Sequence, residues 1–172
     1  MTSLLDAPVI SRTRRNHGLE HATLHILAKR FPGKSMAGHS NPTGFVLFGD
    51  VPVEDVANAA TEALARLQSG ERNLAIHPGC GTNYLVAGAM GGTLAWMTLM
   101  GARSNRDRMG RLLPAILMAT FGFILAQPVG PLVQEHVTTS GDPGSMVIEG
   151  VYVIRPGLCR VMTHDGAALP PA

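Results

Sequence analysis

The sequence predicts a small α+β domain joined to a two-helix transmembrane hairpin. Three observations carry this. Helical and strand-like patterns alternate up to about residue 81, two long uncharged stretches fill residues 82–134, and a pair of strand-like segments follows from residue 135. Only 15% of the 172 residues are charged, low for a chain wholly surrounded by water, and the net charge is +2. No basic stripe with interleaved aromatics is present, which excludes nucleic acid as the favoured partner. Two cysteines, Cys80 and Cys159, are too few for a disulfide framework, though one bridge stays open. The first twenty residues hold Asp6 and several arginines but no long apolar run, so no cleavable signal peptide is read there.

In chain order, residues 1–10 read as a loose lead-in. A helix is predicted from about Ser11 to Arg30, stopped by Phe31-Pro32-Gly33, because proline cannot continue the hydrogen-bond ladder and glycine suits a helix end. Lys34 to Ser40 and Gly44 to Phe48 flank the turn signal Asn41-Pro42-Thr43 and predict a β-hairpin. Asp50 and Pro52 lead into a second helix, Val53 to Leu67. Its residues Val53, Val56, Ala60, Leu64 and Leu67 recur at helical spacing, and Glu54 and Asp55 favour its N-terminal end. Gly70 ends it, and Asn73 to Ile76 reads as a short third strand. Residues 1–81 are thus expected to be an α-β-β-α-β domain.

From Ala75 to Ala102 no residue is formally charged, and Tyr84 to Ala102 is a continuous apolar run of 19 residues. That suffices to cross a hydrocarbon core of about 30 Å. A second uncharged stretch runs from Leu112 to Gln134. The predicted spans are about 83–102 and 112–133, within a hairpin of residues 82–134, and the connecting RSNRDRMGR carries four arginines. Gly88 and Gly92 form a G-x-x-x-G pair expected to let the helices approach closely, and Pro128 and Pro131 are expected to break or kink the second helix. The competing reading, a buried helical pair in a soluble domain, is disfavoured by two uncharged stretches joined by an arginine-rich turn. Residues 135–172 predict a loop, a β-hairpin of Met146 to Ile154 and Leu158 to Thr163 that joins the N-terminal sheet, and a tail from Gly166.

Two spans place both termini on one side of the membrane. The positive-inside rule puts the four-arginine loop in the cytoplasm, whereas an N-terminal region of this length without a signal peptide is awkward to export. The side stays open, with the balance towards a cytoplasmic loop.

Three of the seven histidines, His17, His21 and His25, are spaced four apart on the first helix, with Glu20 beside the middle one. At about 100° per residue, His21 lies roughly 40°, His25 roughly 80° and Glu20 roughly −60° from His17, an arc shared with Leu24, Leu27 and Ala28. The imidazoles and the carboxylate therefore occupy the face that should point inward. Burying so many polar groups requires partners, and a metal ion is the most economical single one. His17-Gly18-Leu19-Glu20-His21 matches H-x-x-E-H, in which two histidines bind zinc and the glutamate activates the bound water. A catalytic zinc takes three protein ligands, and His77 and Cys80, in the Pro/Gly turn of HPGCGTNY, are the further candidates. Each residue also has a plainer reading. His17 and His21 suit hydrogen-bonded core histidines, and Glu20 suits an ion-pair partner for Arg14 or Arg15, or a third ligand. His25 suits a supporting role, and Cys80 a small buried residue at a tight turn. His39 and His136 read as solvated or interfacial, and His164 as a weak outsider for the site.

HGLEH followed by HPGCGTNY at the start of an apolar helix resembles a small bacterial membrane-protein family of unknown function. The two motifs are also similar, more distantly, to those of YqhQ-type predicted metal-dependent membrane enzymes, although this chain is shorter and has fewer predicted spans. The resemblance implies a two-pass protein of the bacterial cell membrane with a metal site at His17, Glu20, His21, His77 and Cys80, and no known substrate. The sequence reading is therefore a membrane protein with zinc at the membrane surface, a metal-dependent hydrolase with Glu20 catalytic. The alternative is a non-catalytic scaffold or assembly factor with a structural metal or a polar network. The lipid bilayer is its expected partner, with a membrane-protein partner or a second copy left open.

Overall fold

A computed structural model describes residues 4–166, so the tail predicted from Gly166 lies almost wholly outside the described residues. The chain divides into two compact units, one of residues 1–77 and 135–172, the other of residues 78–134.

The first unit is an α/β layer built around one helix. After a 3-10 turn at Leu4–Asp6, helix α1 runs Pro8–Arg30, with the proline where its missing N–H costs nothing. Strands β1 (Ala37–Asn41) and β2 (Gly44–Phe48) form a hairpin. Its turn is held locally: Asn41 Oδ1 accepts from the Thr43 N–H at 3.0 Å, Gly44 takes a positive φ, and Arg160 bonds Asn41 Oδ1 and Thr43 Oγ1 at 2.8 and 2.7 Å. Helix α2 (Val53–Gln68) buries Val56, Ala59, Ala60, Ala63, Leu64 and Leu67, one stripe at helical spacing. Strands β3 (Met146–Arg155) and β4 (Leu158–Asp165) complete an antiparallel sheet of order β1-β2-β4-β3. Along β4 the inward side chains alternate as Cys159, Val161 and Thr163, matching Phe45 and Leu47 on β2. Leu19, Leu27, Phe45, Val56 and Val161 are fully buried between sheet and helices.

Asn73 to Ile76 departs from the predicted strand. Arg72–Ala75 is a 3-10 turn, and the carbonyls of Ala75 and Ile76 accept from histidines of α1 instead of pairing in the sheet. The third and fourth sheet positions are filled by the two strands of the C-terminal hairpin.

In the second unit, α3 (Gly81–Leu99) and α5 (Leu112–Val133) lie antiparallel, joined through a short helix α4 (Asn105–Gly110) that Ser104 caps. Arg111 closes this end, donating to the Met100 carbonyl at 2.9 Å and to Asp107 at 3.1 Å, and thereby holds the Asp107 carboxyl below its ordinary range. The close approach is not made by the predicted Gly88 and Gly92, whose added Cβ atoms would meet nothing within 4 Å. Gly91 and Gly122 make it: a Cβ on Gly122 would sit 2.6 Å from the Gly91 Cα. Helix α5 continues through Pro128 and Pro131 to Val133 and then widens into a π-helical turn, Gln134–Thr138.

By length and composition, one helix among the described residues is apolar enough to cross a membrane, the 27-residue stretch Leu112–Thr138. Only 17% of its most apolar window is buried, unlike the core helix of a soluble domain. The predicted first span, α3, does not meet the same measure. The two-span prediction is thus supported for its second stretch alone.

Candidate metal centre

From Gly18 to Leu24, every residue of α1 is buried, since the helix packs on the sheet, on α2 and on the 3-10 turn. Polar side chains there need partners, and each has one. Asn16 donates to the Asn41 carbonyl at 2.8 Å and accepts from Thr163 Oγ1 at 2.6 Å, and Thr23 donates to the Leu19 carbonyl.

The histidines are anchored by carbonyls brought from elsewhere. His17 Nδ1 donates to the Thr138 carbonyl at 2.9 Å, and His21 Nδ1 to the Ala75 carbonyl at 2.7 Å. A carbonyl can only accept, so Nδ1 carries the proton in both rings, and Nε2 is the lone-pair nitrogen when they are neutral. His25 is the reverse: its Nε2 donates to the Ile76 carbonyl at 2.8 Å. His17 and His21 present matching nitrogens, whereas His25 is turned to the opposite tautomer, consistent with a supporting role.

Gly18 makes this anchoring feasible. A Cβ at that position would overlap the Ser140 carbonyl oxygen and lie 3.2 Å from the Ala75 Cβ, so glycine lets the two carbonyl-bearing segments close on the helix. Ser140 N–H also donates to the Arg14 carbonyl at 2.9 Å.

The imidazoles form a cluster. Ring centroids of His17 and His21 are 4.3 Å apart in an edge arrangement, with His77 5.6 Å from His21 and 4.7 Å from His25. Ligand nitrogens of His17 and His21 lie within 4.8 Å of one another. Two nitrogens on one tetrahedral zinc are about 3.3 Å apart, so modest side-chain adjustment would let both reach one ion. Burial, and then the nearby His25 and His21, lower the His77 pKa to about 4, which keeps this ring neutral at physiological pH.

Glu20 is 4% exposed and faces β1. Its Oε2 accepts from Ser40 Oγ at 2.5 Å, and an added Cβ on Gly38 would overlap its carboxylate. The reading of Glu20 as an ion-pair partner for Arg14 or Arg15 is corrected: Arg15 pairs with Asp165 at 2.9 Å, and Arg14 donates to the His136 carbonyl. Cys80 belongs to the helical unit, where it opens α3; it is buried, and neither Cys80 nor Cys159 is in a disulfide. His39, His136 and His164 are exposed.

Sequence reasoning did not find the supporting residues Thr138, Ala75, Gly18, Gly38 and Ser40. The small pair Gly38 and Ser40, two apart on one strand face, was the available signal for a buried group opposite.

Residues 12–151 match the family model described as a domain of unknown function, DUF6391. An uncharacterized protein of Picosynechococcus sp. strain PCC 7002 is 37% identical over 141 residues, an alignment covering 74% of this chain. The chain spans 65% of that relative's length. No solved structure matches. The matched residues include α1 and its histidines, both long helices and the start of β3, and the chain belongs to the DUF6391 family.

Proposed function

We propose that this chain is a membrane-attached metalloprotein in which His17, His21 and Cys80 bind zinc, with His77 as an alternative or fourth ligand. The observation that carries the reading is the matched anchoring of His17 and His21. Each gives its Nδ1–H to a backbone carbonyl, the arrangement that fixes tautomer and ring orientation in metal-ligating histidines. Cys80 is tethered to His77 through Pro78 and Gly79, a link of at most about 11 Å, which brings its thiol within chain reach of the cluster. Two imidazoles and a thiolate suit zinc better than a hard cation.

Hydrolysis is the chemistry this set serves best. Bound zinc would supply Lewis-acid polarisation of a carbonyl or phosphoryl oxygen. In this reading Glu20, whose Oε2 accepts from the Ser40 hydroxyl, would take the proton of the attacking water. The likeness of HGLEH and HPGCGT to the motifs of YqhQ-type predicted metal-dependent enzymes points the same way. Helix Leu112–Thr138 is the membrane anchor, with α3 as a second span in the fuller version and the four-arginine loop towards the cytoplasm.

A second reading, a non-catalytic scaffold, has its own supporting observation. Three imidazoles already bond backbone carbonyls, so the network alone could lock α1 to its neighbours. Cobalt substitution tests the ligand set against the metal-free network. A thiolate-to-cobalt charge-transfer band that is lost in Cys80→Ser, with cobalt retained in Glu20→Gln, is the expected result. Cobalt uptake indifferent to His17→Ala, His21→Ala and Cys80→Ser contradicts the ligand set.

A further inference from the structure

Three arginines precede the histidines on α1, and their surroundings differ. Arg12 and Arg15 both reach Asp165, at 3.8 and 2.9 Å. Arg14 does not: its Nη2 donates to the His136 carbonyl at 3.0 Å, and its buried Nε–H, like that of Arg15, has no acceptor among the described residues. Among the described residues this half-buried guanidinium has a carbonyl but no ion-pair partner, and partial burial of a cation is costly without one.

Arg14 lines a cavity of about 270 Å³ within the α/β unit, together with Arg72, Asn73 and Ser140. Arg14, Arg72 and Asn73 bring hydrogen-bond donors to the wall of a space suited to a small polar group rather than an extended apolar ligand, while the Ser140 hydroxyl donates to the Asp142 carbonyl. Glu135 and Asp142 also line it. Asp142 sits 3.8 Å from Arg72 with both side chains largely exposed, a loose pair that a more highly charged anion can displace. Arginine's planar fork matches the paired oxygens of a phosphate better than it matches a lone carbonyl.

We propose that this cleft binds a phosphate-type oxyanion, free or as a phosphorylated lipid headgroup, with Arg14 as the inner cation and Arg72 as the outer one. The cleft shares Ala75 and Ile76 with the turn that anchors His21 and His25, yet its ligand is held by arginines alone. It therefore does not rest on the metal reading.

The test uses the full chain in mild detergent, treated with chelator so that bound metal plays no part. Inorganic phosphate and monomeric dihexanoyl phosphatidic acid are titrated separately by calorimetry. Saturable binding of at least one probe is expected, at least tenfold weaker in Arg14→Gln and several-fold weaker in Arg72→Gln, whose exposed side chain carries no packing. Tighter binding of the lipid assigns the site to a headgroup, and equal or tighter binding of phosphate assigns it to a free anion. No saturable binding of either probe, or unaltered affinity in either folded variant, overturns the proposal.

Discussion

Gly18→Ala is a substitution whose sign discriminates. In an unobstructed helix interior, alanine stabilises relative to glycine by about 0.8–1.0 kcal/mol. Here the added methyl would overlap the Ser140 carbonyl oxygen and press on Ala75. Overpacking of this kind costs about 1–3 kcal/mol, and losing the Ser140-to-Arg14 backbone bond adds about 0.5–1.5 kcal/mol. The net expectation is destabilisation by about 1–3 kcal/mol, or a fall in Tm of roughly 3–10 °C for a chain of this size. Withdrawal of the flanking segments would also release the carbonyls that orient His17 and His21, weakening metal binding by about 10–100-fold. The assay is thermal exposure of the buried Cys159 thiol to a thiol-reactive dye in a Cys80→Ser background, because Cys159 lies in the core of the α/β unit. Metal affinity is measured in the Gly18→Ala variant with Cys80 intact. A rise in Tm of a few degrees, with metal affinity unaltered, would refute the claim that this glycine exists to admit the carbonyls.

Within the helical unit, Gly122→Leu should separate α3 from α5 and lower thermal stability markedly, whereas Gly88→Leu should be neutral; equal effects in a detergent-based unfolding assay would contradict the Gly91–Gly122 contact. Acid should destabilise the metal-free protein through His77. Its folded pKa of about 4 lies below the unfolded value of about 6.5, so the unfolded state binds more protons between them. The associated stability is present above about pH 6.5 and is lost as pH falls towards 4, and a Tm–pH profile should flatten across that window in His77→Gln. Asn16→Leu removes one buried and one partly buried hydrogen bond and strands the Asn41 carbonyl and the Thr163 hydroxyl, for a cost of about 2–4 kcal/mol by the same thiol-exposure assay; a change within 0.5 kcal/mol (roughly the scatter of surface substitutions) would count against that bridge.

What could be read from the sequence was whatever depended on neighbours along the chain. Helix α2 shows its buried stripe because its apolar residues share one face, and Asn41-Pro42-Thr43 encodes its own turn. Asn73 to Ile76 was misread because its backbone answers to residues some fifty positions away: the Ala75 and Ile76 carbonyls are taken by His21 and His25. The glycine contact was misplaced for a similar reason, since G-x-x-x-G spacing specifies small residues but not the face that meets a partner. Gly122, on the other helix, settles that Gly91 is the contact. In the candidate centre, the burial of Glu20 and His21 followed from helical geometry, with His17 half-buried beside them. That Glu20 faces Gly38 and Ser40 required the hairpin to be in place.

Metal content tests the central claim most directly. The intact chain and His21→Ala are purified in mild detergent, without chelator or polyhistidine tag, and bound transition metals are quantified per polypeptide. The account predicts close to one equivalent of zinc in the parent and its loss in the variant. Absence of metal from both, persisting after zinc is supplied and excess removed, would contradict the metal centre and leave the histidines as a structural network.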